Sequence, residues 1–254
     1  MPVKFEAIQN WRDLYRHEMN CQIIHDSLHT RPGWTKEYSL HLGNTMTGYG
    51  SIAIGGPWKG QPTAFEFYVL PQYRSRVFDL FEALLVESKA VAIEVQSNDP
   101  LITVMLHSHA HNIESESILF HDRLTTFHSL AGVTFRAATP ADAERLLPHQ
   151  EEADYLLEFE GEIAATGGIL FHYNRPYGDI YMEVAERFRR RGFGSFLVQE
   201  MKRVGYENGH IPAARCNQQN FASRKTLQRA GFVPCGQILK GSLLPEQHAT
   251  PEKK

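Results

Sequence analysis

The stretch RFRRRGFGSF, residues 187–196, decides how this chain is read. Four arginines fall within five positions, and two glycines flanking a phenylalanine follow at once. A solvated helix face would accept the arginines, but Gly192 and Gly194 would each cost about 1 kcal/mol inside a helix. A loop that holds an anion through its backbone uses both residue types. Glycines permit the left-handed angles of an anion-binding nest and let a phosphate come close. The unpaired N–H groups of a following helix lie at the positive end of its dipole. Arginines add charge-assisted hydrogen bonds. The pattern is neither GxxxxGK[ST] nor GxGxxG, so it belongs to neither of those nucleotide loops.

Working outward, the chain repeats itself. YSLHLGNTMTGYGSIAIGG from Tyr38 lies over YLLEFEGEIAATGGILFHY from Tyr155, pairing Leu40 with Leu157, Leu42 with Phe159, Gly50 with Gly167 and Ile52 with Ile169. Further on, VLPQYRSRVF (69–78) lies over VAERFRRRGF (184–193), with Val69, Arg74, Arg76 and Phe78 on Val184, Arg189, Arg191 and Phe193. The period is far longer than a solenoid unit, so two copies of one domain are expected. Each copy reads as an amphipathic helix (NWRDLYRHEMNCQIIHDSLH, then TPADAERLLPHQEE), an alternating hairpin and a third strand. The arginine segment with its helix, a short strand and a last helix follow. Thr139 before Pro140 reads as an N-cap. The fold class is therefore α/β, each copy a mixed, mostly antiparallel sheet flanked by helices. The expected division is 1–128, 133–240 and a flexible tail, 241–254.

The totals bound the function. The 254 residues, 42% hydrophobic and 22% charged, suit one large or two ordinary globular domains. A formal net charge of −3 gives no global attraction for nucleic acid or an anionic membrane, and the arginine run is short, surrounded by acidic residues and without interleaved exposed aromatics. Cys21, Cys216 and Cys235 are too few and too irregular for a disulfide framework. The N-terminus has no apolar core of signal-peptide length and no run of about 18 apolar residues occurs, so a cytoplasmic setting is the default. A monomer or homodimer is expected.

Arg189-Arg190-Arg191-Gly192-Phe193-Gly194, preceded at five residues by Val184, resembles the V-x-x-x-x-(Q/R)-x-x-G-x-(G/A) phrase of the GNAT superfamily of acetyl-CoA-dependent N-acyltransferases. The closing phrase is similar too: Asn220 before a helix, with Gly231 and Phe232 following. The resemblance covers 133–240 directly and reaches 1–125 only through the repeat. It implies acetyl-CoA as cosubstrate and no metal. Main-chain groups of Met182, Glu183 and Val184, at a bulge that splays this strand from the PAARC strand, would take the pantetheine and thioester. Amides from Arg190 through Gly192, Phe193, Gly194 and Ser195, with the Arg189–Arg191 side chains around them, would cradle the pyrophosphate. Asn220, Ser223 and Arg224 would lie beside the pantetheine or adenosine. The family's frequent tyrosine, seven residues after the asparagine, is Leu227 here, so the departing thiolate would need another proton source or none. In copy one Val77 and Asp79 stand where copy two has Gly192 and Gly194. A β-branched residue resists the glycine-like backbone and a carboxylate repels phosphate, so that copy is expected to have lost the cofactor.

Acyl transfer to an amine needs a neutral nucleophile, and at pH 7 a lysine-like amine is neutral in roughly one part in 2,500. A base is therefore needed, and Glu183 and Asp179 are the candidates, directly or through a water. Strand alternation would point Glu183 away from Met182 and Val184 unless a bulge resets it. Cys216 ends the opposite strand but has no evident His or Asp partner, and reads as a buried thiol. His107, His109 and His111 read as a solvated face rather than a metal site. The acceptor amine cannot be named from the sequence, since a fold does not carry a substrate. The competing reading is a CoA-binding or interaction protein that no longer catalyses.

Overall fold

Two passages of the chain build the same succession of elements in the computed structural model, which describes residues 1–22, 26–146 and 153–244. The first passage comprises β1 (Pro2–Val3), α1 (Gln9–Met19), α2 (Asp26–Thr30), β2 (Thr35–Leu42), β3 (Thr45–Ala53), β4 (Thr63–Val69), α3 (Val77–Ser88), β5 (Ala92–Gln96), α4 (Pro100–His109) and β6 (Ala110–Asp122). The second comprises β7 (Val133–Ala137), a 3₁₀ turn (Pro140–Arg145), β8 (Tyr155–Phe159), β9 (Glu162–Leu170), β10 (Tyr177–Val184), α5 (Phe193–Glu207), β11 (Ile211–Asn217), α6 (Phe221–Arg229) and β12 (Phe232–Leu243). Thr139 and Asp142 form a capping box at the 3₁₀ turn; the rest of the helix expected there, 147–152, lies outside the described residues. The single helix expected near the N-terminus is two: α1 ends where Asn20 turns left-handed at φ 49°. Among the described residues no helix is long and apolar enough to cross a membrane.

The chain divides into two units, Met1–Glu116 with the residues from Gly236 onward, and Ser117–Cys235. This division differs from one drawn between 128 and 133 because the last strand of each passage serves the other unit's sheet. In the first unit the order is β1-β2-β3-β4-β5-β12, and β12 pairs with β5 through Ile238↔Gln96 to Ser242↔Ala92. In the second it is β7-β8-β9-β10-β11-β6, and β6 pairs with β11 through Ser117↔Asn217 to His121↔Ala213. Residues 241–243, expected in a tail, are thus strand; 245–254 lie outside the described residues.

Both sheets share one irregularity. β4 and β5 run parallel but pair only at Thr63↔Ala92 and Ala64↔Ile93. β10 and β11 run parallel but pair only from Tyr177↔Ile211 to Asp179↔Ala213. β10 continues to Val184 along β9 alone.

Alternation sends the two faces of each sheet into different company. In the second unit Leu157, Ile169 and Ile180 join Leu197, Val198, Met201 and Phe232 in one apolar core beneath α5. In the first unit Phe67, Phe81, Leu84 and Met105 do the same beneath α3 and α4. The opposite face of the first unit carries charge instead. Glu66 on β4 is fully buried and accepts hydrogen bonds from Arg12 Nε (2.9 Å) and Nη2 (2.7 Å) and from Tyr49 Oη (2.8 Å). His29 lies with Nε2 3.2 Å from Glu66 and Nδ1 2.9 Å from Glu37. Burial pushes the Glu66 carboxyl up, but Arg12 and His29 outweigh it and hold it well below the carboxylate range. Removing one partner of such a buried pair strands the other. Arg12→Ala should therefore lower the first unit's unfolding free energy by about 3–5 kcal/mol, read from denaturant titration; a loss under about 1 kcal/mol, the value of an exposed pair, would contradict this.

Candidate functional site

The arginine–glycine segment forms the turn between β10 and α5. Its backbone departs from helical geometry at two places: Arg190 has φ 63° and Gly192 has φ 91°. Gly192 is the N-cap of α5 and supplies no side-chain cap, and the first intrahelical bond is Phe196 N to Gly192 O at 3.1 Å. The amides of Phe193, Gly194 and Ser195 are thus the orphan donors of a 15-residue helix. This is the geometry that suits an anion.

The two glycines act for different reasons. A Cβ on Gly192 would meet only Leu130 Cδ2, at 3.7 Å, so its requirement is the left-handed angle. Gly194 has no left-handed angle; a Cβ there would press on Thr226 Cγ2 at 3.0 Å and Val184 Cγ2 at 3.2 Å. Its absence of a side chain lets the start of α5 close onto α6 and the end of β10. This corrects the expectation that both glycines serve the nest.

The arginines also divide. Arg189 Nε donates to Val184 O at 3.2 Å, which explains the five-residue spacing between them: the guanidinium pins the turn it follows. Arg191 sits among three rings, 5.1 Å from Phe159 and 5.4 Å from both Phe188 and Phe193, so its charge is engaged by π faces. Arg187 pairs with Glu162. Ser195 Oγ donates to Thr226 O at 3.3 Å, which leaves its amide as the group it offers. Asn220 caps α6 by accepting from Ser223 N at 2.9 Å, and Arg224 lies 4.7 Å over the Phe221 ring. Phe193 is buried beneath the loop.

No bulge resets β10: its register against β9 runs unbroken from Asp179↔Leu170 to Val184↔Ala165. Met182 and Val184 therefore face α5, packed toward Gly194, while Asp179, Tyr181 and Glu183 share the opposite face. β11 pairs with β10 only as far as Asp179, so among the described residues the β11-side edge of Ile180–Val184 has no strand partner. Glu183 stands on the face opposite α5. Asp179 sits where the strands part, 5% exposed, with its Oδ1 lacking a hydrogen-bond partner among the described residues. Burial raises its carboxyl to about 6, partly offset by the Arg215 guanidinium, 3.6 Å from Oδ2, and by Tyr173. Sequence reasoning missed Tyr173 and Arg215, which stack at 5.2 Å beside Asp179, because that contact is not local in the chain.

Other candidates fall away from this site. Cys216 is buried and burial raises its thiol, with Arg224 pulling the other way. Leu227 is 3% exposed within the apolar core. His107 and His109 lie in the last turn of α4 and His111 lies in β6, so the three do not form one helical face. Among the described residues no group of three or more His, Cys, Asp or Glu could hold a metal ion.

The first unit's counterpart loop is closed on itself. Arg74 Nε donates to Val69 O at 2.9 Å, the same pin as Arg189 makes. Its remaining nitrogens reach Glu18, at 2.6 and 2.8 Å. Arg76 pairs with Asp79. A 3₁₀ turn, Pro71–Arg76, runs straight into α3 with Val77 at φ −63°, and no residue from 69 to 88 takes a left-handed angle. Without such angles there is no nest.

Similarity to known proteins agrees with this geometry. The profile of the acetyltransferase (GNAT) family matches residues 121–232. Among curated proteins none matches. An acetyltransferase of the GNAT family from Colwellia psychrerythraea superposes with a TM-score of 0.72 at 13% identity, over 96% of this chain and 100% of that one. A tandem GNAT protein from the clavulanic acid biosynthesis pathway, solved without AcCoA, gives 0.62 at 14% identity, over 96% and 98%. A GCN5-related N-acetyltransferase from Sphaerobacter thermophilus gives 0.60 at 16% identity, over 96% and 95%. At these identities the superpositions establish the fold. Profile and superpositions agree: residues 121–232 match the acetyltransferase (GNAT) family, and the fold is that of GNAT-family structures.

Proposed function

We propose that the second unit binds acetyl-CoA and transfers its acetyl group directly to a primary amine, while the first unit, a degenerate copy of the same domain, binds no cofactor. The observation that carries this reading is the uncapped N-terminus of α5 behind two left-handed residues, Arg190 and Gly192, at the end of a strand that has parted from its neighbour. Amides from Arg190 to Ser195 hold the pyrophosphate, and Arg189 and Arg190, both exposed, supply charge around it. The main chain of Met182–Val184, freed from β11, receives the pantetheine and thioester; Asn220, Ser223 and Arg224 flank the far end. The cosubstrate thus lies on the α5 face and the amine arrives on the face of Glu183. Holding both in one complex supplies much of the rate.

The amine nitrogen attacks the thioester carbon, the C–S bond breaks, and the amine proton passes to Glu183 directly or through a water. Asp179, with its carboxyl near 6, is ionised at neutral pH and is the second acceptor for that proton. Leu227 offers no proton, so the thiolate leaves toward solvent. The same Leu227 favours the one competing reading, a CoA-binding protein without turnover; release of free thiol from acetyl-CoA in the presence of amines, above the hydrolysis blank, separates the two.

Two variants test the assignment. Gly192→Val should weaken acetyl-CoA binding by more than about tenfold, because a β-branched residue resists φ 91° and dismantles the nest; unchanged affinity by calorimetry with intact circular dichroism would sink it. Glu183→Gln should leave acetyl-CoA affinity near wild type and lower turnover by roughly 10²–10⁴-fold. That deficit should narrow as pH rises and the amine loses its proton unaided. Wild-type turnover at pH 7 would move the role to Asp179 or solvent.

A further inference from the structure

The row of residues that the first unit devotes to Arg12 has a counterpart in the second. In the first unit Glu37, Ser51 and Glu66 stand side by side on β2, β3 and β4. In the second, Gly168 pairs with Tyr181, and Asp154 lies one position before Tyr155, which pairs with Gly167. The repeat therefore sets Asp154, Gly168 and Tyr181 on Glu37, Ser51 and Glu66. The coordinates bear this out directly: a Cβ built on Gly168 would fall 2.1 Å from Asp154 Oδ2 and 2.5 Å from Tyr181 Oη. Glycine lets the carboxylate and the phenol meet across the middle strand. Asp154 is exposed, and Oδ2 accepts from Ile169 N at 3.2 Å.

In the first unit this row is where the chain's own cation sits. Arg12 grips Glu66 with two nitrogens, and Glu37 takes the other side of the network through His29. In the second unit the row lies on the same face as Glu183 and Asp179, the latter buried with no hydrogen-bond partner for its Oδ1 among the described residues. We propose that Asp154, with Tyr181 beside it across Gly168, is the specificity-determining subsite of the second unit, and that it takes a cationic group on the acceptor other than the amine that is acetylated. The acceptor class is then a primary amine carrying a second positive charge. Glu183 lies two residues beyond Tyr181 on β10, so the row and Glu183 are offset by roughly 6–7 Å along the strand, which sets the shortest useful spacer at about four methylenes.

This rests on the acetyltransferase reading of the second unit, and the test separates the two. The probes are 1,4-diaminobutane, n-butylamine and 4-aminobutanoate, which share their spacer and differ in the distal charge. Wild type should favour the diamine over the monoamine, and the monoamine over the amino acid, in kcat/KM. Asp154→Asn should reduce the diamine-to-monoamine preference by about tenfold, the lower range for a charged hydrogen bond. Asp154→Glu should restore part of it, which a purely structural role would not. In a turnover-free arm, the diamine should raise the melting temperature of the acetyl-CoA complex for wild type and not for Asp154→Asn. Equal use of diamine and monoamine by wild type, or an unaltered preference in Asp154→Asn, would overturn the subsite alone. Absence of acetyl-CoA binding, or of thiol release with every amine, would overturn the underlying reading and this inference with it.

Discussion

A strand that keeps one neighbour and loses the other is the constraint on which the rest of the second unit depends. β10 is hydrogen-bonded to β9 throughout, so its alternation is fixed, but β11 departs after Asp179. That parting frees main-chain groups on one edge of β10. Fixed alternation then assigns Met182 and Val184 to the side of α5 and Tyr181 and Glu183 to the other. The cradle at the start of α5 gains its position from the same strand end, since Arg189 bonds back to Val184 and Gly194 packs against it. In the proposed reading, cofactor binding and acceptor chemistry lie on opposite faces of this sheet.

The first unit shows what happens to the same architecture when the pieces are satisfied internally. Its β4 also leaves β5, and its Arg74 also pins the strand end. Glu18 then takes the arginine's remaining donors, Val77 keeps an ordinary helical backbone, and Arg12 fills the face on which an acceptor would arrive. Three independent features, two of them ion pairs, set this loop and face apart from their counterparts in the second unit.

Much of this was legible in the sequence because it is local. The V-x-x-x-x-R spacing, the glycines and the Asn220 cap are each written within a few residues, and the repeat gave the element order of both passages. What was not legible is non-local. The exchange of β6 and β12 between units leaves no periodicity to read, so the divisions at 116/117 and 235/236 could not be placed. The bulge expected from the family resemblance is absent, since the register of β10 on β9 is set by a partner strand far away in sequence. Gly168 looked like a strand glycine among others, and only the register showed that Asp154 and Tyr181 occupy the space its side chain would fill.

The contrast between the two loops is the centre of this account, and calorimetric titration of the full chain with acetyl-CoA tests it most directly. A single site per chain is the predicted result, because only the loop with left-handed residues at 190 and 192 presents a nest. Saturation at two equivalents would contradict it, by showing that a loop closed by Glu18 and Asp79 still opens for the cofactor, and the absence of binding would contradict it from the other side.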